Sequence, residues 1–344
     1  MAATKQRILV IRFSSLGDVV MTIPVVKTFL AAHPDTELVM LSDQRMADLF
    51  KGIDRLVFVG ADLKGKHKGL LGIVRLYQML KKEQVFEKVA DLHGVIRSHL
   101  LRLLFKFNKK ETAVIDKGRF EKFALVRKEN KIYRPLKHST ERYLEVFSKL
   151  GFKGPAGKNA VANAILHVNH HGADDSRSAK IKIGFAPFAK HVTKMYPLDR
   201  FLEVIRFYDK EGYELYFFGG GPVENAFIKE WATQFKHAAS SLETLGLSDE
   251  LQLMKTMHVV VTMDSANMHL ASLAQVPVVS VWGPTHPHAG FYGLGQDPLN
   301  AVQVSLSCRP CSVFGNKKCW RGDHACMQEI TPDMIIEKIQ KLIS

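Results

Sequence analysis

Cysteine is missing from the first 307 residues of this 344-residue chain, and long apolar runs are missing throughout. A secreted domain stapled by disulfides spreads its cysteines along the chain, whereas all four here lie in one stretch, at Cys308, Cys311, Cys319 and Cys326. We therefore expect thiols or metal ligands in a reducing compartment. No segment approaches the roughly 20 apolar residues that span a bilayer, and the first 13 residues lack the pattern of a secretory signal. We expect a cytoplasmic protein with peripheral membrane contacts.

Two sequence motifs for nucleotide phosphates are also missing. The loop after the first apolar segment reads FSSLGD (13–18) instead of GxGxxG, and the triple glycine Gly219–Gly221 lacks the third spaced glycine of that motif. A Walker A sequence does not occur either. These absences disfavour a dinucleotide-dependent oxidoreductase and a P-loop NTPase, without eliminating either class.

Positive charge is abundant but unevenly placed. The formal net charge is +14, and residues 1–170 hold 31 Lys and Arg against 16 Asp and Glu, while residues 171–344 hold 17 against 18. A solvated surface would account for a basic half, and charge alone does not favour a binding function over that explanation. The asymmetry nevertheless suggests that the N-terminal half meets an anionic partner.

Apolar segments alternate with amphipathic ones in both halves of the chain, which predicts an α/β fold with parallel sheets. Strands are predicted at 7–12, 37–42, 55–60, 88–92, 181–187, 213–219, 258–263 and 276–282. Helices are predicted at 18–34, 43–52, 69–83 and 95–107, from about 197, 222 and 265, and as a capped helix at 331–344. A polar passage at 151–180 is the predicted linker.

This pattern predicts two Rossmann-like domains, 1–165 and 180–330, followed by the helix at 331–344. The 46% hydrophobic content is enough for each domain to bury its own core. Ligands of such folds bind at the carboxyl ends of the strands. We therefore expect the active site in a cleft between the two domains.

Two features of the second half indicate a phosphate-bearing ligand. Asp264, Ser265 and Ala266 lie at a predicted strand-to-helix junction, where backbone N–H groups and the helix dipole favour an anion. Lys190 and Lys194 follow a neighbouring strand. Taken singly, an Asp at a helix start is usually a cap, and a loop lysine is usually solvated.

A third feature is the glycine-rich segment around Gly220, which allows close approach to a ligand, with Glu224 nearby to accept a hydrogen bond from a ribose hydroxyl. Three such features at the ends of successive strands favour a nucleotide site.

Five segments resemble, in the same order, those of the ADP-heptose:lipopolysaccharide heptosyltransferases, glycosyltransferase family 9. They are VIRFSSLGDVVMTIPVV (10–26), KMYPLDRF (194–201), FFGGGP (217–222), MDSANMHLASLAQVPVVSVWGPTHP (263–287) and SCRPC (307–311). The resemblance implies a GT-B fold and inverting transfer of heptose from ADP-heptose to the Kdo/heptose inner core of lipopolysaccharide, without a cofactor or divalent metal. The absence of any Asp-x-Asp pair agrees with metal independence.

The resemblance also implies residue roles. Asp18 matches the proposed base, which takes the proton of the acceptor hydroxyl; partial burial would raise the pKa of a carboxylate toward the working range. From the residues alone, Asp18 is predicted to be the N-cap of its helix. One carboxylate can serve both as this cap and as the base. Lys194, the N–H groups of Ser265 and Ala266, and His269 are expected to stabilise the departing diphosphate.

Acceptor contacts are expected in the N-terminal half. The segment DLHGVIRS (91–98) resembles the acceptor-side stretch of the family, so His93 and Arg97 are candidate contacts, together with Ser15. The Arg97 guanidinium could pair with a Kdo carboxylate in a bidentate way that lysine cannot.

The cysteines read C-x2-C-x7-C-x6-C, with His324 as an alternative ligand. A close pair followed by two more cysteines could bind a structural zinc ion. This spacing is not one of the strong zinc patterns, and plain thiols are favoured.

Three further interpretations stay open at the level of sequence. The first is a glycosyltransferase of the same fold with another sugar-nucleotide donor. The second is a basic nucleic-acid-binding protein using residues 60–153, which the lack of any RNA or DNA motif disfavours. The third adds docking to an anionic membrane through basic residues such as Lys106, Lys109, Lys110, Arg119 and Lys122.

Overall fold

The structure, a computed structural model, describes residues 6–83, 86–154, 161, 180–239 and 245–344. The chain divides into two compact units. The first runs to Lys117 and resumes at Ser139, and the second contains Gly118–His138 and the C-terminal part. Each described unit holds one five-stranded parallel sheet with helices. The predicted α/β class with two Rossmann-like domains is confirmed.

The strands of the described chain are β1 (Gln6–Ile11), β2 (Thr36–Asp43), β3 (Leu56–Ala61), β4 (Lys88–Asp91), β5 (Glu111–Val114), β6 (Lys182–Ala186), β7 (Glu214–Phe217), β8 (Val259–Met263), β9 (Val278–Val281) and β10 (Ala301–Val302). The helices are α1 (Leu16–Val20), α2 (Thr22–Ala32), α3 (Gly69–Glu83), α4 (Ile96–Phe107), α5 (Arg119–Val126), α6 (Ser139–Lys149), α7 (Leu198–Lys210), α8 (Pro222–Gln234), α9 (Leu247–Met254), α10 (Ala266–Leu273), α11 (Ala325–Gln328) and α12 (Pro332–Ile343). Short 3-10 helices lie at Gln44–Phe50, Val192–Lys194, Pro287–Ala289 and Pro298–Asn300.

The first sheet has the order β3-β2-β1-β4-β5, with every neighbouring pair parallel. Its central strand β1 is fully buried from Ile8 to Ile11, because helices cover both faces of a parallel sheet. Leu9 and Ile11 pack in one core with Val39, Leu76 and other apolar residues of this unit. Burial on two faces explains why β1 reads as an uninterrupted apolar run.

The second sheet has the order β10-β9-β8-β6-β7, again all parallel. Its core includes Phe185 and Val261 from adjacent strands and Trp231 from α8. Ile335 and Ile339 of α12 belong to the same core, and the Thr331 hydroxyl accepts the N–H of Met334 at the start of that helix. The predicted capped helix at 331–344 is therefore an integral layer of the second unit.

Residues 118–138 group with the second unit, although the predicted first domain runs from 1 to 165. Leu125 and Val126 of α5 bury against Ala289, and the N–H of Leu136 donates to the carbonyl of His288 at 2.9 Å. These long-range contacts fix the assignment, and the local sequence carries no signal for them. Most of the linker predicted at 151–180 lies outside the described residues.

None of the described helices is both long and apolar enough to cross a membrane.

Candidate functional site

A topological switch point in the first sheet lies between β1 and β4. The connection after β1 leads to β2 on one side, and the connection after β4 leads to β5 on the other. Loops that leave neighbouring strands for opposite faces open a crevice at the carboxyl ends, where ligands of such sheets bind. Asp18 follows β1 and His93 follows β4, so both lie at this edge.

Asp18 is held by a polar cluster at the start of α1. Its Oδ2 accepts from the Ser15 hydroxyl at 2.8 Å and from the Ser15 N–H at 3.4 Å. The Arg12 Nη2 lies 2.5 Å from the same oxygen, and about a third of the Asp18 side chain remains exposed. The carboxylate is therefore fixed in orientation and still reachable from solvent.

The predicted N-cap role of Asp18 is wrong, because Ser15 occupies that position and Asp18 is the third residue of α1. The helix predicted at 18–34 is also divided at Met21 into α1 and α2. Asp18 instead caps from within the helix, by accepting the N–H of Ser15 as the acidic member of a capping box.

Arg12 is a buried member of this site that sequence reasoning missed. One Nη1 hydrogen bond goes to the carbonyl of Leu92 at 2.8 Å, and the guanidinium lies 5.7 Å from the ring centre of Tyr143. A buried cation is stable only when it is paired and hydrogen-bonded, and Asp18 supplies the charge partner. An arginine directly after an apolar strand was the available signal.

His93 faces the same edge as a neutral group. Burial and then the neighbouring Arg12 charge lower the pKa of His93 to about 3. Its Nδ1 accepts the N–H of Phe13 at 3.3 Å, so the ring proton resides on Nε2. The loop around it is fixed by Asp91, whose Oδ1 accepts the N–H groups of His93 and Gly94 at 2.9 and 2.8 Å.

The predicted acceptor residues thus lie together at one edge of the first sheet. The charges of Asp18 and Arg97 both act on His93, and Lys117, in the loop after β5, acts on it as well. Arg97 is exposed at the start of α4. The result is a predominantly cationic edge around one carboxylate, which is suited to an anionic ligand.

The second sheet has its own switch point, between β6 and β8. Lys194 follows β6, and Asp264 and Ser265 follow β8, so the predicted anion-binding groups again flank the switch point. Lys194 Nζ lies 3.0 Å from Asp264 Oδ2 in a largely buried ion pair. That oxygen has no other hydrogen-bond partner in the described chain.

Ser265 begins α10 in extended geometry and places Ala266 as the first helical residue. The Ser265 hydroxyl lies 3.2 Å from the Thr262 hydroxyl. The Asp264 N–H donates to the carbonyl of Val281 at 3.2 Å. The first turn of a helix presents backbone N–H groups and a positive dipole end, and an ammonium ion stands beside it here. Asp264 partners this ammonium ion, and the helix start adds backbone N–H groups and its dipole at the same edge, which suits an anionic ligand.

The loop that carries Lys194 is braced by the cysteine-containing segment. The Thr193 hydroxyl donates to the carbonyl of Gly315, and a Cβ added at Gly315 would lie 2.3 Å from Lys194 Cγ. Only glycine permits this approach, and its φ of +72° also favours glycine. Lys190, by contrast, is exposed.

Glu224 lies at the first turn of α8 and accepts the N–H of Gly220 at 2.8 Å. This contact ties together two of the predicted donor-binding residues. Glu250, which sequence reasoning missed, has its pKa raised to about 7 by burial and by the charge of Glu224. His269 is buried within α10.

A polar cavity of about 430 Å³ lies at the carboxyl ends of β9 and β10, lined by Tyr133, His286, Gln303 and other residues. The Tyr133 hydroxyl and His286 Nε2 are 2.6 Å apart. Burial and then His288 lower the pKa of His286 to about 3, so this histidine is neutral. The cavity shares its sheet edge with Asp264.

All four cysteines are free thiols that line one small cavity of about 10 Å³, together with His324. In the part of the chain that the structure describes, no three His, Cys, Asp or Glu side chains form a group that could hold a metal ion. Burial raises the pKa of the Cys326 thiol to about 11.

Each unit thus has charged side chains at the switch point of its parallel sheet, a carboxylate in the first and a lysine beside a helix start in the second. The family model of glycosyltransferase family 9 (heptosyltransferase) matches residues 73–319. The chain belongs to this family and is a glycosyltransferase, as the resemblance implied.

Curated relatives are similar over different lengths. Lipopolysaccharide heptosyltransferase 1 of Pseudomonas aeruginosa is 24% identical over 89% of this chain and 86% of its own length. Lipooligosaccharide heptosyltransferase 2 of Campylobacter jejuni is 26% identical over 38% of this chain, and the match spans 42% of that protein.

Among solved structures, the E. coli heptosyltransferase WaaC is similar over nearly its whole length. With ADP it has a TM-score of 0.67 at 19% identity, covering 98% of this chain and 99% of that one. With ADP-2-deoxy-2-fluoro heptose the TM-score is 0.65 over the same shares. The fold is GT-B.

Proposed function

We propose that this glycosyltransferase moves heptose from ADP-heptose to the Kdo/heptose inner core of a lipopolysaccharide precursor, with inversion at the anomeric carbon. The observation that carries the proposal is the pairing of Lys194 with Asp264 beside the first turn of α10, at the switch point of the second sheet. The related WaaC is described with ADP and with an ADP-heptose analogue, which supports an ADP-sugar as donor.

Asp18 is the catalytic base in this proposal. The acceptor hydroxyl oxygen attacks the anomeric carbon, the bond from that carbon to the diphosphate oxygen breaks, and the hydroxyl proton passes to the Asp18 carboxylate. Arg12 and Ser15 hold this carboxylate in one orientation. A neighbouring cation favours the charged form of a carboxylate, which is the form that accepts a proton.

The leaving diphosphate gains negative charge as the glycosidic bond breaks. Lys194 and the N–H groups of Ser265 and Ala266 stabilise this charge, and His269 and Lys190 are assigned to the same donor site. Glu224, fixed beside Gly220, is assigned to a ribose hydroxyl. The two lysines carry positive charge and the helix start adds its dipole, so the proposal assigns no divalent metal to the diphosphate.

The acceptor is bound at the first sheet by Ser15, His93 and Arg97. His93 is neutral with its proton on Nε2, so it can donate one hydrogen bond to a sugar oxygen. Arg97 is exposed and charged, which suits a Kdo carboxylate. An acceptor of this class is lipid-linked, so we place the enzyme in the cytoplasm at the inner face of the inner membrane.

Mass spectrometry of reaction products tests the proposal. The protein is incubated with a panel of sugar nucleotides, including ADP-heptose, ADP-glucose and a UDP-sugar, together with Kdo-bearing lipid A. We expect a mass increase of one heptose with ADP-heptose only. Transfer from another donor would replace the donor assignment and keep the glycosyltransferase, and transfer from none would refute the proposal.

A further inference from the structure

The outer surface of α3 and α4 is unusually apolar. The first unit has seven exposed large apolar side chains among its described residues, and six of them lie on these two helices. They are Leu70, Leu71 and Val74 on α3, and Ile96, Leu103 and Phe107 on α4, with Ile96 81% and Phe107 79% exposed. We call these six side chains the α3–α4 apolar face.

The apolar residues of α4 form one continuous stripe. Ile96, Leu103 and Phe107 are spaced by seven and four residues, so they lie on the same side of the helix. The buried side of α4 is formed by Ser98, Leu101 and Phe105, which occupy the opposite side. A helix that packs on a core by one face normally has a polar outer face, and α4 does not.

α3 likewise has apolar residues on its outer side as well as on its core side. Its core side carries Ile73, Leu76 and Leu80, while Leu70, Leu71 and Val74 point away from the core. α3 and α4 pack against each other, so the two apolar sides belong to one surface. A contiguous apolar surface of this kind on a soluble unit marks an interaction site.

The charges around the face identify its partner. Exposed basic side chains flank it at Lys68, Arg75, Lys81, Lys82, Arg97, Lys106 and Lys109. Glu83 is the only acidic residue of α3, and α4 has none. A second copy of this chain placed against the same face would bring like charges together. Apolar residues bordered by lysine and arginine instead fit an anionic lipid surface.

We propose that the α3–α4 apolar face is the membrane-docking surface of the protein, with the outer sides of both helices lying on an anionic bilayer. The reason for docking rests on the proposed function, because an enzyme with a lipid-linked acceptor must reach that acceptor at the membrane. α4 begins directly after the loop of His93 and carries Arg97 in its first turn. Docking through α4 therefore brings the acceptor-binding edge of this unit to the lipid headgroups.

Vesicle co-sedimentation without donor or acceptor tests the surface independently of transfer. The unaltered protein should bind vesicles of phosphatidylglycerol and phosphatidylethanolamine, release at high salt, and leave phosphatidylcholine vesicles unbound. The variants Leu70→Gln/Leu71→Gln and Ile96→Gln/Phe107→Gln should each lower the partition coefficient by about tenfold or more. Glutamine keeps helix propensity, and these side chains are mostly exposed, so thermal unfolding should be unchanged.

One further variant tests the basic residues beside the face, and two control variants change matched residues elsewhere. Leu299→Gln removes a 74% exposed leucine of the second unit and should leave vesicle binding unchanged. Lys106→Glu/Lys109→Glu should weaken binding to anionic vesicles by at least tenfold. Lys149→Glu/Lys153→Glu changes two exposed lysines at the end of α6, which packs with α2, and should have a much smaller effect. Right-handed crossovers place α2 on the other face of the sheet from α3.

The proposal is overturned if the unaltered protein fails to bind anionic vesicles in low salt, or if the apolar-face variants bind as well as the unaltered protein. It is also overturned if lipid-free protein is a dimer in sedimentation and Ile96→Gln/Phe107→Gln makes it monomeric, because the face would then hold a second copy. Heptose transfer to a deacylated, soluble acceptor is measured separately. If the unaltered protein transfers no heptose to this acceptor, the proposed function is refuted, and the vesicle result is unaffected.

Discussion

The guanidinium of Arg12, buried at the end of β1, lies 2.5 Å from the carboxylate of Asp18, which is about one third exposed. The buried cation is thus neutralised by the group that we assign to proton transfer. Arg12 and Ser15 fix the orientation of this partly buried carboxylate.

Replacing Asp18 by Asn should lower kcat by on the order of 10²–10⁴, the usual range for loss of a general base. Asparagine can still accept from Arg12 and Ser15, so the fold should persist, which circular dichroism and thermal unfolding would check. Affinity for ADP should hardly change. Ser15→Ala, which removes one hydrogen bond to the carboxylate, should cost less. Turnover near that of the unaltered enzyme in folded Asp18→Asn would leave Asp18 as a helix-terminus residue only.

Lys194→Ala should weaken ADP binding and lower kcat, because the ammonium ion meets diphosphate charge that grows in the transition state. Titration calorimetry with ADP and steady-state kinetics measure the two effects. Lys190→Ala should cause a smaller loss of both, since Lys190 is assigned to the same donor site but is exposed and has no ion-pair partner comparable to Asp264 among the described residues. A larger loss for Lys190→Ala than for Lys194→Ala would reverse the assignment.

Transfer activity should persist in EDTA. The sequence has no Asp-x-Asp pair to hold a divalent cation at the diphosphate, and Lys194 with the start of α10 supplies the positive charge instead. The measurement is the initial rate after dialysis against EDTA, with and without added Mg²⁺ or Mn²⁺. A strict requirement for either cation would contradict this expectation.

Acid should destabilise the fold through His93 and His286, whose folded-state pKa values are both lowered to about 3. Histidine in the unfolded chain titrates near 6.5, so the unfolded state binds more protons between those values. This stability is fully present above pH 6.5 and is lost as pH falls toward 3. Between pH 7 and 5 the free energy of unfolding should fall by at most about 2 kcal/mol for each histidine.

Urea unfolding at a series of pH values measures this slope. Asn can replace the accepting Nδ1 of His93 and of His286, so the variant His93→Asn/His286→Asn should unfold with a shallower dependence on pH. An unchanged slope in this variant would assign the acid sensitivity to other groups.

The cysteine-lined cavity gives a test that does not involve catalysis. The cysteine spacing is not one of the strong zinc patterns, so purified protein should carry no stoichiometric zinc, and a chelator should leave the unfolding temperature unchanged. Elemental analysis checks the first point. About one equivalent of zinc, with destabilisation by chelator, would establish the ion that the cysteine spacing left open.

The sequence by itself determined the elements with strong periodicity. The helix predicted at 69–83 agrees with α3, and the strand segments around 37–42 and 258–263 agree with β2 and β8, because apolar spacing directly reports which faces are buried. The short strands β5 and β10 and the short helices α5 and α9 were missed, since few residues carry little periodicity. The 11-residue helix α6 was also missed, although its buried residues Tyr143, Val146 and Phe147 have helical spacing. Lys194 and Asp264 were named from their positions after successive apolar strands.

Tertiary structure decided what depends on distant partners. The sequence could not place Gly315 against Lys194 or assign residues 118–138 to the second unit, because both depend on contacts between segments that are not adjacent in the chain. Arg12 and Asp18 are close in sequence, but the sequence does not show that Arg12 is buried against the carbonyl of Leu92 and therefore pairs with Asp18. It also could not separate the apolar residues of α4 that face the core from those that face solvent. Both sets repeat at helical spacing, and only packing against the sheet selects Leu101 and Phe105 for the core and leaves Ile96 and Phe107 exposed.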